Sequence, residues 1–124
     1  MQKSILIVED NKTNMRFFTE LLKRHSFRTI LSNDGSDAVE LSLSEHPDLI
    51  VMDIQLPGMS GTELTRMIKG NAQTENIPII AVTAFSIDDN DGEIEEAGFD
   101  AFIAKPIKID SFIETVNKLL GGGP

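Results

Sequence analysis

The 124 residues of this chain are enough for one domain with a single hydrophobic core. Twenty acidic against 11 basic residues give a formal net charge of −9, which argues against autonomous nucleic-acid binding because phosphate backbones would be repelled. The chain has no cysteine, which excludes disulfides and thiolate metal sites, and no apolar run approaches the ~18 residues needed to span a bilayer. We therefore expect a cytoplasmic globular domain that does not insert into membranes.

Short apolar segments recur along the chain and predict five β-strands. The segment from Leu49 is an unbroken apolar run that ends in the carboxylate of Asp53, and such a run is typical of a strand buried on both faces in the middle of a parallel sheet. The predicted strands are Ser4–Val8, Phe27–Leu31, Leu49–Asp53, Ile79–Val82 and Ala101–Ala104.

Apolar residues at helical spacing predict a helix after each strand. We expect Asn14 to cap the first helix, and Ser60 to cap the third in a capping box with Glu63, with Leu64, Met67 and Ile68 facing inward. The predicted helices are Asn14 to about His25, a second helix that contains Ala38 and ends before Pro47, Ser60 to Gly70, Asp89–Ala97 and Ile109–Leu120.

This alternation predicts a flavodoxin-like α/β fold, in which a doubly wound parallel sheet of five strands carries five helices. The favoured strand order is 2-1-3-4-5, which places the functional site at the switch between strands 1 and 3. We assign residues 1–120 to this domain and residues 121–124 to a flexible tail.

Polar residues follow four of the predicted strands. Glu9 and Asp10 end the first strand, Asp53 the third, Thr83 the fourth and Lys105 the fifth. Each has an ordinary structural explanation, such as a helix cap or a surface charge, but parallel topology brings all of them to one edge of the sheet. Three carboxylates there would repel one another unless a cation lay among them. Because the available ligands are carboxylate oxygens and the chain has no cysteine, the predicted cation is Mg²⁺ or Mn²⁺.

With these residues the chain resembles the receiver domains of two-component response regulators. The resemblance covers essentially the whole chain and, within the family, is greatest to single-domain DivK-like regulators or to the receiver of a hybrid histidine kinase. The matching segments are Val8–Asn11 with Asn14, Asp48–Pro57 with Gly61, Ile77–Ala84, and Lys105 with Pro106.

The resemblance implies that Asp53 accepts a phosphoryl group from a phosphohistidine on a sensor histidine kinase or a histidine phosphotransfer protein. It implies a magnesium ion bound by Asp10, by Asp53 and by the backbone carbonyl of Gln55, with Glu9 acting through a metal-bound water. Lys105 would neutralise a phosphoryl oxygen, as a compact point charge can.

Four further positions carry expectations from the resemblance. Thr83 would donate its hydroxyl to the phosphoryl group, and small Ala84 would leave room for access. Phe102 matches the switch aromatic, which would turn inward as Thr83 moves, although simple core packing is the alternative. The remaining family positions are structural: Pro106, which would follow a cis peptide bond, and Pro57 and Gly61 in the turn after the third strand.

In the family, the surface that changes on phosphorylation is formed by the fourth helix, the fifth strand and the fifth helix. In this chain the predicted helix Asp89–Ala97 is acidic and contains Gly92, which costs about 1 kcal/mol relative to alanine in a helix interior. We expect a marginal helix there and signalling through contact with a downstream protein. The commoner explanation for such a run of acidic residues is a solvated face.

Three other functions are possible for a domain of this topology. Dehalogenase-type phosphatases need a second aspartate two residues after the first, where this chain has Gln55. Flavodoxins need a phosphate-binding loop after the first strand, which Asn11–Thr13 does not supply. A pseudoreceiver would lack part of the acidic, threonine and lysine set. We therefore expect a signalling domain whose only chemistry is its own phosphorylation and dephosphorylation, and not an enzyme.

Overall fold

A computed structural model describes residues 2–56, 58, 60–84 and 97–121. The predicted acidic helix therefore lies outside the described residues except for Ala97, as do Pro57 and the end of the predicted tail. The elements are β1 (Ser4–Val8), α1 (Lys12–Arg24), β2 (Arg28–Ser32), α2 (Ala38–Glu45), β3 (Leu49–Asp53), α3 (Gly61–Lys69), β4 (Ile79–Thr83), β5 (Ala101–Ala104) and α4 (Ile109–Leu119).

The five strands form one parallel sheet in the order 2-1-3-4-5, which confirms the predicted topology. The inner strands β1, β3 and β4 are buried along their whole length, whereas β2 and β5 form the partly exposed edges. Val8 lies opposite Met52, and Asp53 lies opposite Val82. This register brings the carboxyl ends of the inner strands to one level.

Alternate residues of the buried strands face two separate cores. Ile5 and Val51 pack with Phe18 of α1 and Phe112 of α4, whose rings lie 5.3 Å apart between centroids. Leu6 and Met52 contribute to the opposite core, with Ala38, Leu64 and Ile68 from α2 and α3. Two of the described helices therefore cover each face of the sheet. None of the described helices is both long and apolar enough to cross a bilayer.

The start of α1 differs from the prediction. The helix is capped by Asn11, whose side-chain oxygen accepts a hydrogen bond of 2.9 Å from the backbone N–H of Asn14. The prediction of Asn14 as the cap was therefore wrong by one turn, because both asparagines could supply the acceptor and only the chain path selects between them. Strand β2 is also displaced, beginning at Arg28 and not at Phe27.

Helix α3 begins as predicted. The Ser60 hydroxyl accepts a hydrogen bond of 3.1 Å from the backbone N–H of Glu63. Leu64 and Ile68 are buried, but Met67 is 51% exposed, so its predicted inward position was wrong. At 100° per residue the buried arc runs from Leu64 toward Thr65, which is fully buried. Thr65 therefore faces the core, whereas the helical spacing of apolar residues had predicted that Met67 would do so.

An ion pair ties the end of α3 to the amino ends of β4 and β5. The Lys69 ammonium donates to the Ile77 carbonyl at 2.7 Å and to the Asp100 carboxylate at 2.9 Å. The same carboxylate oxygen accepts the backbone N–H of Ile79 at 2.8 Å. One carboxylate thus satisfies a strand amide and a partly buried cation together, which fixes the two strand starts relative to each other.

We expect Asp100→Ala to lower the free energy of unfolding by about 1–3 kcal/mol, because the Ile79 N–H and the Lys69 ammonium would lose their shared acceptor. Urea unfolding of the two proteins measures the difference. Asp110→Ala is the matched control, since Asp110 is exposed in the first turn of α4 and contributes only a dipole interaction of about 0.3–1 kcal/mol. Equal losses in the two variants would contradict the clamp.

Candidate functional site

Three carboxylates meet at the carboxyl ends of β1 and β3. One oxygen from each of Glu9, Asp10 and Asp53 lies within 4.8 Å of the others. Glu9 is 1% exposed and Asp53 2% exposed, while Asp10 is exposed. Because β1 and β3 are hydrogen-bonded neighbours, the acidic cluster follows directly from the strand order. The juxtaposition expected from the sequence is therefore present.

Lys105 approaches the acidic cluster from the end of β5. Its ammonium lies 3.3 Å from Asp53 Oδ2 and 3.7 Å from Glu9 Oε1. The backbone N–H of Lys105 donates to the Thr83 carbonyl at 2.8 Å, which holds this residue beside the end of β4. The Lys105-Pro106 peptide bond is cis, as the resemblance implied. A long side chain thus brings a positive charge across β4 to the carboxylates.

The two oxygens of Asp53 have different surroundings. Oδ1 accepts a hydrogen bond of 2.9 Å from the backbone N–H of Gln55, which belongs to the turn after β3. Oδ2 faces the Lys105 ammonium. One oxygen is therefore held by the backbone, and the other lies next to a cation that can neutralise charge arriving on it.

Glu9 is the least satisfied member of the acidic cluster. Its Oε2 accepts the backbone N–H of Asn11 at 3.1 Å, but its buried Oε1 has no hydrogen-bond partner among the described residues, only the longer ion pair with Lys105. Burial, with a further contribution from the neighbouring Asp53 carboxylate, raises the pKa of Glu9 to about 7.

These observations fit a hard divalent cation. The buried Glu9 Oε1 has no hydrogen-bond partner among the described residues, and it lies beside two further carboxylates. The site therefore offers oxygen donors, which Mg²⁺ and Mn²⁺ prefer. One lysine offsets only part of the charge of three carboxylates. Glu9, Asp10 and Asp53 could therefore hold a metal ion.

Gly61 places the start of α3 against the backbone of the acidic cluster. A Cβ at this position would overlap the carbonyl oxygen of Asp53 and lie 2.9 Å from Cα of Ile54. The Gly61 N–H also donates to the Ile54 carbonyl at 3.0 Å. Only a residue without a side chain permits this approach, so Gly61 fixes the path of the turn that carries Asp53.

The remaining predicted residues surround the carboxyl end of β4. Thr83 is 1% exposed, and Ala84 beside it is exposed. Phe102 on β5 is half-buried and packs edge-to-face against Phe99, with ring centroids 5.8 Å apart. Its movement as a switch remains a prediction.

One contact was missed from the sequence. The backbone N–H of Ala84 donates to Oε1 of Gln55 at 3.4 Å, which joins the ends of β3 and β4. The resemblance assigned only the backbone carbonyl of Gln55 a role. The place of Gln55, two residues after Asp53, could have marked its side chain as part of the site. Its partner Ala84 could not be predicted, because the contact depends on how two distant segments pack.

Comparisons with known proteins identify the family that this chain resembles. The family model described as the response regulator receiver domain matches residues 5–117. The chain is 45% identical over 121 residues to the polar-differentiation response regulator DivK of Brucella ovis, covering 98% of both chains.

Solved structures show the same similarity. The receiver domain of a sensor histidine kinase from Pseudomonas aeruginosa, solved with a magnesium ion coordinated in its active-site cleft, is 30% identical with a TM-score of 0.90, covering 98% of this chain and 99% of that one. The receiver domain of a signal transduction histidine kinase from Syntrophus aciditrophicus is 34% identical with a TM-score of 0.89, covering 97% and 91%.

We expect Gly61→Ala to displace the turn after β3 and to weaken Mg²⁺ binding, because the new Cβ would overlap the Asp53 backbone. Gly58→Ala is the control: it has open space around the new Cβ and only a positive φ of 81°, a strain of about 1–2 kcal/mol. Titrating both variants with Mg²⁺ by NMR compares them. An unchanged Mg²⁺ affinity in Gly61→Ala would show that the close approach does not matter.

In chelator-treated protein, the buried Glu9 should lower stability as the pH rises. Between 4.5 and about 7 the folded state keeps a proton that the unfolded state has released, so stability falls across this window and stays low above it. Glu9→Gln should remove this slope and be more stable than the wild type at about pH 8 by roughly 1–3 kcal/mol.

Urea unfolding at about pH 5 and about pH 8 measures this effect. Glu114→Gln, an exposed position on α4, serves as the control and should keep the wild-type slope. The same pH dependence in wild type and Glu9→Gln would refute the assignment of the raised pKa to Glu9.

Proposed function

The chain belongs to the response regulator receiver domains, which act in two-component signalling, and on this premise we propose that Asp53 accepts a phosphoryl group. The donor is the phosphohistidine of a sensor histidine kinase or of a histidine phosphotransfer protein. One observation carries the proposal: buried Asp53 has Oδ1 held by a backbone N–H and Oδ2 beside the Lys105 ammonium. The reactive oxygen is thereby oriented before a donor arrives.

In the proposed reaction, Asp53 Oδ2 attacks the phosphorus atom. The new O–P bond forms as the P–N bond to the donor imidazole breaks, and the electron pair of that bond leaves with the imidazole. Lys105 lies 3.3 Å from the attacking oxygen and offsets the negative charge that the incoming group brings. Transfer of this kind depends mainly on positioning and charge stabilisation, and both are supplied by ends of different strands.

The proposed metal ligands are Asp10, Asp53 and the backbone carbonyl of Gln55, with Glu9 acting through a metal-bound water. When bound, Mg²⁺ offsets the repulsion between carboxylates and a phosphoryl group. Two observations support this assignment: Glu9 Oε1 is buried with no hydrogen-bond partner among the described residues, and the Pseudomonas aeruginosa receiver has a magnesium ion in its active-site cleft.

We propose an acceptor and not a turnover enzyme, because the chain offers no second acid at position 55 to release the product. The phosphoryl group would stay on Asp53 until self-dephosphorylation. Similarity to DivK over 98% of both chains favours a DivK-like regulator over the receiver of a hybrid kinase, although receivers of histidine kinases are among the similar structures.

The signal is proposed to leave through a protein-binding face. The Thr83 hydroxyl would bind the phosphoryl group, and Phe102 would move into the space that Thr83 leaves. The face comprises β5, α4 and the predicted helix Asp89–Ala97, and its target is a protein in the cytoplasm. A charge-driven switch of this type biases a two-state element.

The test is phosphorylation by acetyl phosphate with Mg²⁺, followed by intact mass measurement. The wild type should gain one phosphoryl group that hydroxylamine removes, as expected of an acyl phosphate, and Asp53→Asn should gain none. Asp110→Asn makes the same change from carboxylate to carboxamide at an exposed position away from the site, and this variant should gain the phosphoryl group like the wild type. Undiminished labelling of Asp53→Asn would move the acceptor to another residue.

A further inference from the structure

Gln55 joins the two strand ends that flank the proposed acceptor. Its backbone N–H donates to Asp53 Oδ1 at 2.9 Å, and its side-chain Oε1 accepts the backbone N–H of Ala84 at 3.4 Å. Both Gln55 and Ala84 are exposed, whereas Asp53 and Thr83 on either side are buried. The glutamine side chain therefore lies across the mouth of the site between β3 and β4.

The Ala84 N–H is a donor suited to an anion at this position. It follows Thr83 directly, and its hydrogen points toward the turn that begins at Asp53, as the contact with Gln55 shows. Fixed backbone N–H groups are effective donors to developing negative charge because they need no reorganisation. In the unphosphorylated protein this donor is already used by a neutral amide oxygen.

We propose that the Gln55 side chain is a latch that occupies the Ala84 N–H until an oxygen of the phosphoryl group replaces it. The inference rests on the proposed phosphorylation of Asp53 and adds a residue that sets how readily the phosphorylated state forms. The latch also adds one contact between the turn after β3 and Ala84, the residue that follows β4. Release of the latch is therefore part of any movement of Thr83 toward the phosphoryl group.

The relative strengths of the two hydrogen bonds favour the exchange. The latch bond is long, neutral and exposed to solvent, so it is weak. A bond from the same N–H to a phosphoryl oxygen is charge-assisted, and such bonds are shorter and about twice as strong. The latch thus opposes the switched state only modestly, by an amount that a single neutral hydrogen bond can supply.

Two variants separate the latch from a passive surface role. Gln55→Met keeps the length of the side chain and removes the acceptor, while Gln55→Glu keeps an acceptor at the same reach and adds negative charge. Gln73→Met makes the same chemical change at an exposed position in the α3–β4 connection and is the control. All three leave the backbone carbonyl at position 55 in place.

Beryllofluoride, a mimic of the phosphoryl group, is titrated with Mg²⁺ present, and the Ala84 amide is followed by NMR. Loss of a competing neutral hydrogen bond should make Gln55→Met bind beryllofluoride roughly two- to tenfold more tightly than the wild type. Gln55→Glu should bind it more weakly than Gln55→Met, and Gln73→Met should match the wild type. In beryllofluoride-free protein, the Ala84 amide of Gln55→Met should exchange with solvent faster than that of the wild type.

Unchanged or weaker beryllofluoride binding by Gln55→Met would overturn the latch. The latch would also be overturned if the Ala84 amide of Gln55→Met exchanged with solvent at the wild-type rate. Failure of the proposed function has a different signature: the wild type would bind no beryllofluoride at Asp53 and would not be labelled by acetyl phosphate. The latch would then have no exchange partner and would fall with that proposal. Tighter beryllofluoride binding by Gln55→Met, with wild-type binding by Gln73→Met, would support both the latch and the proposed phosphorylation of Asp53.

Discussion

The structure depends on a concentration of negative charge that its own residues only partly neutralise. Glu9 and Asp53 are almost fully buried at neighbouring strand ends, Asp10 lies beside them, and a single lysine ammonium contacts the two buried carboxylates at 3.7 and 3.3 Å. Isolated carboxylates in such a place would take up protons, and the raised pKa of Glu9 shows that tendency. A divalent cation would remove the conflict, and its binding would prepare Asp53 to receive further negative charge. The remaining features of the site serve to hold these groups at that separation.

The backbone around Asp53 is held as firmly as its side chain. Gly61 brings the first turn of α3 against the Asp53 carbonyl, and the Gln55 N–H fixes one carboxylate oxygen. Because these contacts involve main-chain atoms, most substitutions in the surrounding turn would leave the orientation of Asp53 unchanged, while an added methyl group at position 61 would not. The site is thus built on strand ends and on a turn whose path Gly61 fixes, which suits the proposed role of Asp53 as a nucleophile that is oriented before a phosphodonor arrives.

The two ends of the sheet are held differently. At the amino ends of β4 and β5, Lys69 and Asp100 form short hydrogen bonds with each other and with the backbone. At the carboxyl ends, the backbone N–H of Lys105 bonds to the Thr83 carbonyl at 2.8 Å, whereas the Gln55 side chain contacts Ala84 through a longer hydrogen bond of 3.4 Å. A structural response to a charge placed on Asp53 should therefore begin at the contact between Gln55 and Ala84, because this bond is the weaker of the two.

Over the described residues, the sequence by itself determined the alternation of strands and helices and, with the strand order that five such units favour, the meeting of Glu9, Asp10, Asp53 and Lys105. It did not determine which of Asn11 and Asn14 caps α1, or that Thr65 and not Met67 faces the core, because short polar side chains and an adaptable apolar one fit either place until packing selects. Only the tertiary structure decided that Asp53 Oδ2 faces the lysine, that Gly61 touches the Asp53 backbone and that Gln55 bonds to Ala84. The contacts of Asp53 with Lys105 and of Gln55 with Ala84 join segments far apart in the chain, and the approach of Gly61 to Asp53 depends on the path of the turn between them, so the geometry of all three is set by packing.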